Sequence, residues 1–429
     1  MKRKLSILIS SILILSIISS CVLQERETKS VILMIGDGMG DAHLRMASLY
    51  SGKELFIDTL PILSKVKTNS FDSEITDSAA AATAMATGYK TNNNMISMSS
   101  DGTPLKTILE LAKEKGKSTG LVTTTRITHA TPAAFAAHNV SRYNEEEILK
   151  DYLENEVDVL FGGGLEYFLS GERKDGIDYL EKFREKGYEV LRTRNELLSA
   201  DTSQDAKLLG LFAKSHMSYV FENSSQPTLS EMTKVALERL SKDEDGFLLM
   251  IEGGRIDHAS HENDALKAIE EILAFDEAVG VAIEFAKSER DVLLIVTADH
   301  ETGGLELGDG NLQVLRGLRE NLSELSKKIM KNPYDLDELI ASYLGIYDLT
   351  IEEREMLKNP TKATLKKFIE KRASISWSSD YHTSKPISLK AFGPSSELFS
   401  SELDNTDIAK LIMEALGLTE RFINNFRYT

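Results

Sequence analysis

Three short stretches of this chain set carboxylates, imidazoles and one hydroxyl in patterns suited to chemistry on an anion. In IEGGRIDHASHEND, Ile251 to Asp264, Asp257 and His261 stand four residues apart. If a helix starts there, the two side chains share one face and can hold one ion. That spacing also occurs on ordinary helix surfaces; Glu252, five residues before Asp257, carries more weight because it closes an apolar run. In TADHETGG, Thr297 to Gly304, Asp299 and His300 can meet one ion only where the strand has ended and turned, because neighbours in a regular strand point to opposite faces. Gly303-Gly304 suggests such a turn. The third stretch, ITDSAAAATAMATG from Ile75 to Gly88, reads as a helix that begins at Asp77 or Ser78 and ends near Gly88. It would hold the Ser78 hydroxyl at the positive end of a helix dipole, among free N–H groups that suit a phosphate. Taken alone this is more simply an N-cap on an alanine-rich core helix, since a serine needs a base or a metal to become a nucleophile.

These groups act together only if the fold gathers them. Apolar runs of strand length recur at Val31 to Gly36, Gly120 to Thr124, Val157 to Phe161, Phe247 to Ile251 and Val292 to Thr297. Helical patterns lie between and around them, at Leu105 to Lys115, Glu145 to Glu154, Ile177 to Lys186, Leu229 to Leu240 and Ala265 to Lys287. Strands without alternation, separated by helices, predict an α/β fold: a mostly parallel central sheet with helices on both faces. In such sheets, sites form beyond the C-terminal strand ends. Asp37, the His129 to Pro132 segment, Glu252 and the Asp299-His300 pair all follow apolar runs, which predicts that they emerge at one edge. Residues from about Asp309 to Ser376 are charged and helical in pattern, with Pro333 and Pro360 as helix starts or breaks, and read as a helical insertion. Gly162 to Gly164 reads as a tight turn, because no Gly-Lys-Ser/Thr follows to make a nucleotide-binding loop. His43, His138 and His216 lack any such context and are assigned no role.

With 429 residues, 41% hydrophobic and 27% charged, most of the chain reads as a soluble globular protein. Its start differs: Lys2, Arg3 and Lys4 precede LSILISSILILSII, then Ser19, Ser20 and Cys21. Residues 1–20 have the charged, apolar and small-residue regions of an export signal. Ile18-Ser19-Ser20-Cys21 resembles a bacterial lipobox, which would leave a lipid on Cys21, the only cysteine of the chain. A lone cysteine cannot make an internal disulfide, so lipidation accounts for it better than oxidation does. Residues 21–30 then form a polar tether, and 31–429 the folded domain. Losing residues 1–20 removes three positive charges and moves the formal net charge from −17 to −20. So acidic a protein is ill suited to nonspecific nucleic-acid binding, and local charge must attract any anionic substrate.

Together the segments VILMIGDGMG, ITDSAAAATAMATG, ITHATPAAFAAHNVSR, FGGG, MIEGGRIDHASHEND, LIVTADHETGG and DYHTSKPISLKAFGP resemble the alkaline phosphatase family of metal-dependent phosphomonoesterases. They run in the family's order from Val31 to Pro394. The resemblance implies that Ser78 is the nucleophile, forming a phosphoserine. It implies one zinc held by Asp257, His261 and His382, a second by Asp37, Asp299 and His300, and a third ion, usually magnesium, by Asp37, Thr131 and Glu252. Arg142 would bind two phosphate oxygens through its planar fork, oriented by Asp77. Where the enteric bacterial enzymes carry an Asp and a Lys, this chain has His129 and His258. An imidazole there could favour zinc over magnesium, or each histidine could hydrogen-bond a water of the ion instead. Many relatives are dimers, which leaves a homodimer open.

The expectation is an exported, lipid-anchored hydrolase of small phosphate monoesters facing the periplasm or the cell exterior. Two other readings keep the metal sites: a phosphodiesterase or sulfatase, or a noncatalytic lipoprotein binding phosphate or metal. The former relatives typically place a Thr or a modified Cys where Ser78 stands, and the latter would be expected to lack a ligand or the nucleophile.

Overall fold

The structure is a computed structural model that describes residues 27–222 and 225–418. The expected export signal and Cys21 lie outside the described residues. Ten strands share one sheet: β1 (Ser30–Gly36), β2 (Ile62–Lys67), β3 (Ser118–Arg126), β4 (Val159–Gly163), β5 (Tyr188–Leu191), β6 (Lys207–Leu211), β7 (Phe247–Glu252), β8 (Val292–Ala298), β9 (Ile387–Phe392) and β10 (Leu403–Asp404). Their spatial order is β10-β2-β9-β8-β1-β7-β3-β4-β6-β5. Only β9 runs against its neighbours, β2 and β8; the other pairings are parallel.

The central strands β1, β7 and β8 are buried along their whole length, which is why their sequences are apolar without alternation. Ile32 of β1 pairs with Leu249 of β7 on one side and Leu294 of β8 on the other. The parallel register brings three chain ends out side by side: Gly36 before Asp37, Glu252 itself, and Ala298 before Asp299. This confirms the mostly parallel α/β sheet.

Four helices carry the rest of the site: α1 (Ser78–Thr87), α2 (Ala130–Ala136), α3 (Arg255–His261) and α4 (Ala265–Ser288). Every residue of α1 is buried, and its run of alanines lets it pack closely between α2 and the helix Asn405–Ala415. The described helix at 108–114 starts later than the sequence pattern, because Thr107 and Glu110 form a capping box there.

Between Asp309 and Ser374 the chain forms a 3-10 segment (Leu312–Arg319) and the helices Leu322–Lys331, Leu336–Leu344, Ile351–Met356 and Lys362–Arg372. They gather Leu315, Leu325, Ile340, Leu365 and Phe368 into a cluster apart from the sheet's core. A short antiparallel pairing of Leu305–Leu307 with Ile375–Trp377 joins the two ends of this segment.

Candidate active site

Asp37 leaves β1 through a turn at Gly38, whose φ of 73° is a left-handed conformation that glycine adopts without strain. A Cβ added at Gly38 would lie 2.9 Å from the Asp257 Cα, so the turn also needs the missing side chain to approach α3. The Gly38 amide donates to Asp299 Oδ1 at 3.1 Å, tying the ends of β1 and β8 together. Ser78 opens α1, where the Asp77 carboxylate caps the Ala80 amide. Ser78 is buried, and its Oγ lies 3.2 Å from His300 Nε2.

Around this hydroxyl, three groups of ligand-type side chains each bring their donor atoms within 4.8 Å of one another: Asp257 with His300 and His382, Asp37 with Asp299 and His300, and Asp37 with His129 and Glu252. His261 joins the first group, its Nε2 lying 3.1 Å from His382 Nε2 and 3.3 Å from Asp257 Oδ2. The Nδ1–H of His261 donates to the Asp380 carbonyl at 2.6 Å and that of His382 to the Thr76 carbonyl at 2.9 Å. Both rings therefore turn Nε2 inward, as metal-binding imidazoles do when a carbonyl fixes the other nitrogen. Thr302 orients the same group by donating to Asp257 Oδ1 at 2.6 Å.

Arg142 reaches over the mouth of α1. Its Nη1 donates to Asp77 Oδ2 at 3.0 Å and its Nη2 to His129 Nε2 at 3.1 Å. His129 packs edge-on against His258 at 5.7 Å and against His216 at 5.5 Å between ring centres. His216 and His258 are 4.5 Å apart, completing a three-imidazole cluster beside Glu252. Arg126 lies alongside His216 and pairs with Glu145 at 2.7 Å. Thr131, on α2, is buried with its Oγ1 unpartnered.

The electrostatics ask for cations. Both oxygens of Asp37, Oδ2 of Asp299 and Oε1 of Glu252 are buried with no hydrogen-bond partner. Burial, with the nearby charges of Asp299, Asp257 and Glu252, holds the Asp37 carboxyl well above the ordinary carboxylate range. Burial likewise pushes Asp299 up to about 7 and raises Glu252. At Asp257 burial acts the same way, but the hydrogen bond from His261 leads the opposing effects and the carboxyl is held well below its usual value. That hydrogen bond to Asp257 lifts His261 to about 9. Burial and the neighbouring His382 keep His300 neutral, with its pKa well below the imidazole norm. The unpartnered buried oxygens of Asp37 and Asp299 with the neutral His300 form a donor set that zinc takes. An ion at Asp257 and His261 would displace the proton they share, and the oxygen-rich Asp37 and Glu252 side also suits magnesium.

An alkaline phosphatase family model matches residues 28–418. The chain belongs to the alkaline phosphatase family. It is 35% identical over 427 residues to alkaline phosphatase 3 of Bacillus subtilis (strain 168), covering 91% of this chain and 89% of that protein. Among solved structures, the cold-active alkaline phosphatase of a psychrophilic Shewanella sp. matches with a TM-score of 0.78 and 33% identity, over 90% of this chain and 99% of that one. A histidine-to-aspartate mutant of the TAB5 alkaline phosphatase with Mg bound in its M3 site matches at a TM-score of 0.73 and 32% identity, over 92% and 99% of the two chains. As an alkaline phosphatase, the chain is a phosphoric monoester hydrolase. Among the described residues, no helix is long and apolar enough to cross a membrane.

Every site position read from the sequence, apart from Cys21, lies among the described residues and in this one region. Three neighbours were not singled out there. His216 sits in the loop after β6 and Arg255 at the start of α3, with no local pattern to mark the first. Thr302 did carry a signal, standing two residues after His300 in the Asp-His-Glu-Thr-Gly-Gly stretch. His43 and His138 stay outside this cluster: His43 is buried against Ser260, and His138 bonds Glu110 at 3.0 Å.

Proposed function

We propose that this alkaline phosphatase transfers the phosphoryl group of a small monoester to Ser78 and then to water. The observation that carries the reading is the Ser78 hydroxyl, set at a helix N-terminus 3.2 Å from His300 and ringed by buried, unpartnered carboxylate oxygens of Asp37 and Asp299. Asp257, His261 and His382 would hold one zinc, Asp37, Asp299 and His300 a second, and Asp37, Thr131 and Glu252 a third ion. When bound, the zinc pair supplies the positive charge that lowers the pKa of an attacking oxygen and stabilises a leaving one.

The chain's own groups do the rest. The free N–H groups at the start of α1 and the forked Nη atoms of Arg142 bind phosphoryl oxygens, and Asp77 holds that fork over Ser78. Ser78 Oγ gives up its proton to solvent and forms the new P–O bond while the P–O bond to the leaving group breaks on the opposite side. The departing oxygen takes a proton from solvent to become the alcohol. Water then cleaves the phosphoserine, so two inversions retain configuration at phosphorus. The third ion is magnesium when His129 only hydrogen-bonds beside it, and zinc when His129 lends a nitrogen. The lipobox-like Cys21 supports an exported enzyme anchored by lipid.

The test compares turnover of an aryl phosphate monoester, a diester and a sulfate ester, and adds Ser78→Ala. We expect the monoester to be fastest, and the variant to lose turnover by about 10³-fold or more while keeping its zinc. A diester or sulfate preference overturns the substrate class, and loss of zinc in the variant overturns the role of Ser78.

A further inference from the structure

Arg255 makes an unusual contact for a guanidinium. Its Nη1 lies 2.6 Å from Nδ1 of His258, one turn along α3. A guanidinium has five N–H donors and no acceptor, so the Nδ1 of His258 must be the accepting nitrogen. A neutral imidazole carries one proton and one lone pair in its ring plane. With the lone pair on Nδ1 engaged, the proton sits on Nε2.

The arginine is built into place. Its backbone N–H donates to Thr124 Oγ1 at 3.2 Å, at the end of the strand beside β7. Its guanidinium carbon rests 3.9 Å from the centre of the Tyr219 ring. Tyr219 is itself fixed, donating from its hydroxyl to Glu262 at 2.8 Å with Lys267 4.6 Å from its ring centre. The Nε of Arg255 is buried with no partner. A half-buried cation that leaves a donor unsatisfied in order to bond an imidazole is costly, and stability alone does not explain it.

We infer that Arg255 is a positioning residue that holds His258 in its Nε2–H form, so that His258 meets a bound phosphoryl oxygen as a hydrogen-bond donor and is not a ligand of the third ion. The reasoning rests on the phosphoryl-transfer reading of this site. Ligation through Nε2 would need that nitrogen's lone pair, and hence either a doubly deprotonated ring or the loss of the Arg255 contact. His129 is held in the opposite tautomer: its Nε2 accepts from Arg142 Nη2 at 3.1 Å, which leaves its proton on the buried, unpartnered Nδ1, and its ring centre lies 5.7 Å from that of His258. His258 thus keeps its ring donor on Nε2 and His129 on Nδ1.

The experiment uses the full chain labelled with ¹⁵N-histidine, with the His258 signals identified by their loss in His258→Gln. Nitrogen shifts should show a protonated Nε2 and an unprotonated Nδ1, both metal-free and after loading with zinc and magnesium. A proton on Nδ1, or loss of the Nε2 proton on loading, overturns the inference. Calorimetric titration with inorganic phosphate should show about ten-fold weaker binding in Arg255→Met, with Arg255→Lys recovering most of it. Unchanged phosphate affinity in a folded Arg255→Met overturns it as well. Elemental analysis of His258→Gln should find the wild-type number of ions; one fewer would make His258 a ligand. None of these readouts needs turnover, so a chain that failed to hydrolyse monoesters would sink the proposed function and leave this result standing.

Discussion

Arg142 Nη1 donates to Asp77 Oδ2 at 3.0 Å, and Asp77 is the residue that also caps the helix opened by Ser78. One carboxylate therefore fixes both the anion clamp and the nucleophile, through its two oxygens. A lysine at 142 can reach an anion as a point charge but cannot bridge Asp77 and two phosphoryl oxygens together. Arg142→Lys should lower kcat/KM for a monoester by about ten-fold. Arg142→Ala should lower it by up to about 100-fold, the range of a single charge-assisted hydrogen bond of about 1.5–3 kcal/mol. Equal rates for wild type and Arg142→Lys would remove the clamp from the mechanism.

Much of this arrangement was legible because buried parallel strands write themselves as unbroken apolar runs. β1, β7 and β8 were read that way, and the rule for strand ends then placed Asp37, Glu252, Asp299 and His300 together. Strands β2 and β9 were missed for the converse reason: their residues alternate, as in ILSKVK with Lys65 and Lys67 outward and in ISLKAF. β5 and β6, toward the sheet's far edge, are too short, at four and five residues, for an apolar run to stand out. His216 was invisible because its partners Arg126, His129 and His258 are between 42 and 90 positions away, and only folding makes them neighbours.

Gly38 tests the link between strand end and metal ligands. Its left-handed φ and the 2.9 Å separation of an added Cβ from the Asp257 Cα leave no room for alanine. Gly38→Ala should cost roughly 1–3 kcal/mol of stability. It should also weaken zinc binding, because relief of the clash moves Asp37 away from α3. Thermal melts with and without zinc, together with a zinc titration, check both parts; a variant with wild-type zinc affinity would show that the turn does not set the ligand geometry.

Metal removal should destabilise the fold more than it changes its secondary structure. Asp37, Asp299 and Glu252 place unpartnered buried oxygens near one another, and without cations they repel. Chelation should lower the melting temperature, and zinc should restore it in a concentration-dependent way. Zinc at 100 times its dissociation constant contributes about 2.7 kcal/mol for each site. A melting temperature indifferent to chelator and zinc would mean that no ion is held here.

Glu271 offers a pH-dependent test away from those ligands. It lies on α4, 4% exposed, and accepts a hydrogen bond from the Val220 amide at 2.7 Å. Burial pushes its carboxyl up to about 7 from an ordinary 4.5. Because the folded value is the higher one, the contribution to stability is fully present below about pH 4.5 and is lost as pH rises through 7. The unfolded chain ionises first, and the folded chain must follow at a cost on the order of 3 kcal/mol. Glu271→Gln keeps an oxygen acceptor for Val220 but cannot ionise. The variant should therefore gain on the wild type as pH rises from 4 to 8, in melts of equally metal-loaded protein. A stability difference that stays flat across that interval would mean that Glu271 ionises as freely in the folded chain as in the unfolded one.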